Sequence, residues 1–173
     1  MRLFIAINFN DDTKSRLVRL QGELNNNSSG GSFPPASNMH LTLVFLGECE
    51  TRQVADIKAV MDSMNFRPFD LMIDRVGRFR REGGDIWWAG VRENKRLTDL
   101  QHKLTSKLIL EGFDVETRKY SPHITLGRRV ETKEQPRSIE AFGEAISLIE
   151  LMKSERIGGE MVYTAVHSRV SNP

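Results

Sequence analysis

Residues 40–47 read His40-Leu41-Thr42-Leu43-Val44-Phe45-Leu46-Gly47, and the opening phrase returns as His123-Ile124-Thr125-Leu126. The chain holds four histidines in 173 residues and places two of them at the head of this phrase. At the chain's own usage of His, Thr and Leu, roughly 0.02 copies of His-x-Thr-Leu are expected by chance. Each copy sits in an apolar, alternating run that reads as a strand, about 39–47 and 122–130. Side chains two apart on a strand share a face. Each copy therefore presents one imidazole beside one hydroxyl, and the chain builds that pair twice.

Working outward, residues 2–9 read as an opening strand. Asp11 or Asp12 can cap a helix carrying Leu17, Leu20 and Leu24 on one side. Residues 25–37, rich in Asn, Ser, Gly and Pro, read as a loop. Thr51 can cap a second helix with Val54, Ile57, Met61 and Met64. Phe69, Leu71 and Ile73 alternate with Asp70, Met72 and Asp74 as a half-buried strand. Arg75, Arg78, Arg80 and Arg81 then read as a basic turn, solvated or touching RNA phosphates, before a strand over Ile86–Val91. Leu97, Leu100, Leu104 and Leu108 mark a third helix that stops at Gly112. Residues 131–143, polar and holding Pro136, read as loop or short helix. Two last strands fit Ala145–Lys153 and Met161–Val170. Helices mixed with hairpin-like strand pairs favour α+β architecture with antiparallel sheet. A duplicated lobe would explain why the phrase recurs across one domain spanning residues 1–173.

Composition narrows the function classes. Apolar residues make up 39% and charged residues 28%, as in ordinary globular proteins. The formal charge of +2 is compatible with an anionic substrate. One cysteine, Cys49, excludes an internal disulfide framework and a multi-cysteine metal site. There is no His-x-x-x-His, no cysteine pair and no Asp-x-Asp cluster, so neither metal nor cofactor is expected. A Gly-x-Ser-x-Gly elbow is missing, and no Gly-Gly pair completes a phosphate-binding loop. The five apolar residues after Arg2 are too few for a signal-peptide core, and no run reaches the ~18–20 residues of a membrane helix. A cytoplasmic protein without membrane association, and a monomer, is the expectation.

Histidine titrates near neutrality, so a pair can hold one proton as acid while lacking one as base. In-line displacement at phosphorus needs that combination, with the two imidazoles facing each other across the phosphorus. A hydroxyl two residues after each histidine can donate to a non-bridging oxygen, where charge builds in the transition state. A lone strand histidine is more often structural than catalytic. His102, off the leucine stripe, reads as solvated, and His167 has no repeated context. Trp87 and Trp88 point to opposite strand faces; one packs in the core, and the other could stack on a base, with core packing the default reading.

The match in order of Arg2-Leu3-Phe4-Ile5-Ala6-Ile7, His40 through Gly47, Trp88-Ala89-Gly90-Val91 and Pro122-His123-Ile124-Thr125-Leu126-Gly127-Arg128 resembles one branch of the two-histidine phosphoesterase superfamily. That branch is the RNA 2′,3′-cyclic phosphodiesterases, formerly called 2′-5′ RNA ligases. The resemblance implies two pseudo-symmetric α+β lobes around a V-shaped cleft, with one His-x-Thr pair from each. It implies opening of an RNA or nucleotide 2′,3′-cyclic phosphate end to a 2′-phosphate, without a cofactor. His40 would be the proton donor and His123 the proton acceptor, with Thr42, Thr125 and Arg128 binding phosphate. Strict strand alternation sets Arg128 on the face opposite His123 unless a bulge falls at Gly127. The alternatives are 2′-5′ ligation by the same histidines, or a non-catalytic nucleotide- or RNA-binding module, which would need no paired acid and base.

Overall fold

The computed structural model describes residues 1–173 as nine strands, three α-helices and one 3₁₀ turn. Strands β1 (Arg2–Asn8), β3 (His40–Glu48), β8 (Leu148–Ile157) and β9 (Glu160–Val170) form one antiparallel sheet in the order β3-β1-β8-β9. Strands β2 (Ser28–Ser32), β4 (Phe69–Phe79), β5 (Asp85–Val91), β6 (His123–Thr132) and β7 (Arg137–Ile146) form the other, in the order β2-β6-β5-β4-β7. The helices are α1 (Asp11–Asn26), α2 (Thr51–Asp62) and α3 (Lys95–Leu110). The architecture is α+β, as the mixed pattern predicts, and two-lobed, as the family resemblance implies. The lobes are not the two halves of the chain, because β2 leaves for the second sheet between β1 and β3, and β8 and β9 return to the first.

One face of each sheet lies in a shared apolar core. Leu3, Ile5 and Ile7 of β1, Leu41 and Leu43 of β3, and Ile124 and Leu126 of β6 are all buried in it. Leu17 and Leu24 of α1, Ile57 and Met61 of α2, and all four predicted leucines of α3 complete it. The alternate residues on β3 and β6, with His40, Thr42, His123 and Thr125 among them, occupy the opposite, cleft-facing side.

Four local expectations need correction. Residues 28–32 are an edge strand, not loop: β2 pairs with β6 at Ser28, Gly30 and Ser32, and its Ser and Gly side chains carry no apolar signal. Residues 137–146 are β7, paired with β4, and the single predicted strand over 145–153 divides at Ser147. A register shift between Ile73 and Arg75 disrupts the period of that pairing. The basic stretch is not all turn: Arg75 and Arg78 lie on β4, and Arg80 and Arg81 follow it. The caps sit one residue early, since Asn10 accepts from the Thr13 amide at 2.9 Å and the Glu50 amide donates to the Gln53 side chain at 2.8 Å. The third helix ends as expected, with Gly112 in the left-handed region at φ 87°.

Both histidine strands are bulged at the same place. From Ala6 to Ile5 on β1 is one step, and its partners Thr42 and Val44 are two steps apart on β3. From Trp88 to Trp87 is one step on β5, and the partners Thr125 and Gly127 are two apart on β6. Leu43 and Leu126 are thus the extra residues, each three after its histidine. A bulge leaves the carbonyl of the extra residue without a ladder partner. The side chain of Gln101 on α3 donates to the Leu43 carbonyl at 3.3 Å, and that of Gln21 on α1 donates to the Leu126 carbonyl at 3.0 Å. Gln21→Leu and Gln101→Leu are each expected to leave a part-buried carbonyl unsatisfied and to cost about 1–3 kcal/mol. Thermal unfolding should register that as a fall in Tm of roughly 3–10 °C; an unchanged Tm in either variant would mean that water replaces the glutamine without loss.

Candidate active site

β3 and β6 approach each other where the sheets meet, and this brings the two His-x-Thr pairs to one cleft. In each strand the residue two before the histidine orients the ring. His40 Nδ1 lies 2.8 Å from the carbonyl of Asn38, and His123 Nδ1 lies 2.7 Å from the carbonyl of Ser121. A carbonyl only accepts, so Nδ1 carries the hydrogen in both rings and Nε2 is the nitrogen left for chemistry. The Asn38 side chain donates to the Met161 carbonyl at 2.9 Å, which anchors the turn that holds His40.

His40 Nε2 is 2.9 Å from Thr42 Oγ1, so the i, i+2 pairing read from the sequence is a direct contact. With Nε2 unprotonated, the threonine hydroxyl donates to it. Once Nε2 takes a proton it stops accepting, and the Thr42 hydroxyl hydrogen becomes free for another acceptor. Each ring is also edged by aromatics. Phe4 and Tyr163 stand 4.7 Å and 5.3 Å from His40, and Phe79 stands 5.0 Å from His123.

The pKa of each imidazole is pushed below its ordinary value of 6.5, chiefly by burial, which disfavours the charged ring. The carbonyls on Nδ1 work against this in both. The Arg128 guanidinium lowers both further, and a charge on His123 lowers His40. Arg128 is thus near both rings. The bulge at Leu126 is the reason: Leu126 and Gly127 are consecutively buried, the alternation slips by one, and Arg128 comes out on the side of His123 and Thr125. The neighbouring Arg129 absorbs the distortion at φ 52°, a left-handed conformation rare for a long side chain. The same slip on β3 turns Phe45 outward, five residues after His40 as Arg128 is five after His123.

A cavity of about 1080 Å³ runs from Thr42 and His123 along β3 to Gly47. Its far wall is residues 114–121, between α3 and β6, and Arg81, Phe45 and Phe79 line it. Tyr120 belongs to that wall and donates to the backbone carbonyl of Thr42 at 2.7 Å. Burial raises its phenol pKa, so the hydroxyl stays a donor. Tyr120, Gln21 and Gln101 were not legible as site-forming residues, since each acts by donating to a backbone carbonyl distant in sequence. The remaining candidates lie apart. His102 is exposed on α3, and His167 pairs with Asp62 at 2.7 Å, joining β9 to α2. Arg78 rests 5.6 Å from the Trp87 ring with Asp85 at 3.8 Å, a packing arrangement. No group of three or more His, Cys, Asp or Glu is placed to hold a metal ion. No helix is long and apolar enough to cross a membrane.

The chain is similar to known proteins in sequence and in fold. A family model described as the 2′-5′ RNA ligase superfamily matches residues 10–155. The RNA 2′,3′-cyclic phosphodiesterase of Thermotoga maritima is 34% identical over 131 residues, which is 74% of this chain and 70% of that protein. The protein of the same name from Methanothermobacter thermautotrophicus is 27% identical over 176 residues, 95% of each chain. Among solved structures, E. coli LigT complexed with 3′-AMP has the same fold, with a TM-score of 0.88 at 24% identity, covering 99% of this chain and 98% of that one. With a doubled, bulged His-x-Thr strand, the two-sheet fold and these relatives, the chain belongs to the 2′-5′ RNA ligase superfamily.

Proposed function

We propose that the chain is an RNA 2′,3′-cyclic phosphodiesterase that opens the cyclic phosphate at an RNA end to a 2′-phosphate. The observation that carries the reading is the pair of imidazoles in one cleft, each fixed through Nδ1 to a backbone carbonyl with Nε2 turned to the chemistry. Relatives across most of the chain's length carry this activity in their names. In the proposed sequence a water oxygen attacks phosphorus while His123 Nε2 takes its proton. The bond from phosphorus to the ribose 3′ oxygen breaks, and that oxygen receives the proton held on His40 Nε2. The product is a 2′-phosphomonoester with a free 3′ hydroxyl, and the two histidines end with their protons exchanged.

His40 must therefore be charged at the start, although burial and Arg128 both oppose this in the free protein. The phosphate resolves the conflict. Its negative charge beside Arg128 offsets the guanidinium and favours the imidazolium. Protonation of His40 also releases the Thr42 hydroxyl to donate to a non-bridging oxygen, with Thr125 in the matching position from the other lobe. Substrate binding and the assembly of the acid are thereby coupled.

Incubation with nucleoside 2′,3′-cyclic phosphates in EDTA should yield nucleoside 2′-phosphates; loss of turnover in EDTA that a divalent ion restores would remove this mechanism. His40→Ala and His123→Ala should each lower turnover by about 10²–10⁴-fold. Thr42→Val and Thr125→Val remove one donor each and should cost less, about 10–10³-fold, by similar factors.

The pH dependence follows from the direction of the two shifts. Both free imidazoles lie below 6.5, so the state with one charged and one neutral ring is most populated below that value. The kcat/KM profile should be a bell with its maximum on the acid side of 6.5. Bound phosphate raises the imidazole values, so the limbs of kcat should lie at higher pH than those of kcat/KM. In Arg128→Met one lowering influence is gone, and the kcat/KM maximum should move upward as KM rises. A profile that is flat, or unmoved in Arg128→Met, would count against the paired-imidazole scheme.

A further inference from the structure

The cleft face of the second sheet carries an aromatic surface that the proton transfers do not use. Trp88 stands opposite Thr125 on β5, on the face shared with His123, while its neighbour Trp87 is buried in the core. Two glycines clear the sheet for its indole. A Cβ on Gly77, the β4 partner of Trp88, would overlap the ring atoms Cη2, Cζ2 and Cζ3. A Cβ on Gly90, the β5 partner of His123, would come within 2.8 Å of Cζ3 of the same ring. The indole thus lies flat across β4 and β5 with one face pressed on backbone.

Its neighbours define the rest of the surface. Phe79, which edges His123, tilts against Trp88 at 5.4 Å between centroids. The guanidinium carbon of Arg75 lies 6.0 Å from the Trp88 ring, and Arg75 Nη1 is tethered to the Val91 carbonyl at 2.9 Å and to Asp74 at 3.1 Å. The indole Nε1 has no hydrogen-bond partner. Buried tryptophans normally hand that N–H to an acceptor. Trp87 Nε1 in the core also lacks an acceptor, so what sets Trp88 apart is its place on the cleft face beside His123.

Given the phosphodiesterase reading above, on which this step rests, we propose that Trp88 is a nucleobase-stacking platform. It takes one base of the RNA end whose cyclic phosphate lies between the histidines, with Arg75 supplying positive charge at the rim. Stacking uses the π-face that every base has, so the platform accepts all four bases and selects for a nucleoside over a base-free cyclic phosphate.

Two measurements test it. Titrating the protein with adenosine 2′-phosphate should quench tryptophan emission, and inorganic phosphate should not. In Trp88→Phe the quench should vanish, since Trp87 is only 1% exposed. In kinetics, Trp88→Leu should raise KM for nucleoside 2′,3′-cyclic phosphates about ten-fold more than for a base-free five-membered cyclic phosphate. Equal losses on the two substrates would make Trp88 a packing residue and overturn the proposal. So would adenosine 2′-phosphate that binds by calorimetry without changing emission, a readout that stands even if Trp88→Leu fails to fold. Failure of the phosphodiesterase reading looks different: the unaltered protein would hydrolyse neither substrate, while the titration would still report on the platform.

Discussion

The structure turns on one extra residue in each of two strands. A regular strand would carry His, Thr and the residue four after the histidine on one face, and would send the fifth to the core side. With Leu43 and Leu126 inserted, the fifth residue returns to the cleft, and Phe45 and Arg128 join the imidazoles there. Each insertion leaves a backbone carbonyl outside its ladder, and each is met by a glutamine from a helix on the far side of the sheet, Gln101 and Gln21. The two helices do more than cover apolar surface. They stabilise the local irregularity that sets the composition of the cleft.

The symmetry of construction produces unequal halves. The first histidine sits among Phe4 and Tyr163 and is followed at the fifth position by an exposed phenylalanine, whose ring the Arg2 guanidinium approaches to 5.1 Å. The second sits against Phe79 and is followed at the fifth position by an arginine. Two copies of one backbone device thus supply an apolar wall on one side of the cleft and a fixed cation on the other. An acid and a base working on one phosphate need such a difference between otherwise equivalent imidazoles. Both imidazoles are lowered first by burial and further by Arg128, and a charge on either opposes a charge on the other, so the pair favours a single proton.

The interleaving of the chain holds the halves at a fixed separation. The backbone passes between sheets after β1, β2, β3 and β7, directly or through the helix that follows, so neither sheet can be completed without the other. Tyr120 adds a direct tie, from the segment that precedes His123 to the Thr42 carbonyl on the opposite lobe. Because Ser121 orients His123 and its neighbour Tyr120 grips β3, the geometry of one histidine is referred to the backbone of the other.

Local patterning was enough to read the helices, the core leucines of α3, the α+β class, and both imidazole–hydroxyl pairs. Those depend on periods of two and 3.6 residues, which are local properties of the chain. The sequence also held the phrase that resembles a known family and the arginine that the family motif places at position 128. What it could not decide was which way that arginine faces. The answer depends on a bulge, and a bulge is set by backbone pairing with β5 and by Gln21 on a helix about a hundred residues earlier. Edge strand β2 and strand β7 were hidden for related reasons: the one is held by backbone bonds with no apolar face, and the other loses its alternation at a register shift against β4. That the two phrases share one cleft emerges only in the folded chain, since side-chain periodicity says which face a residue takes and nothing about what that face meets.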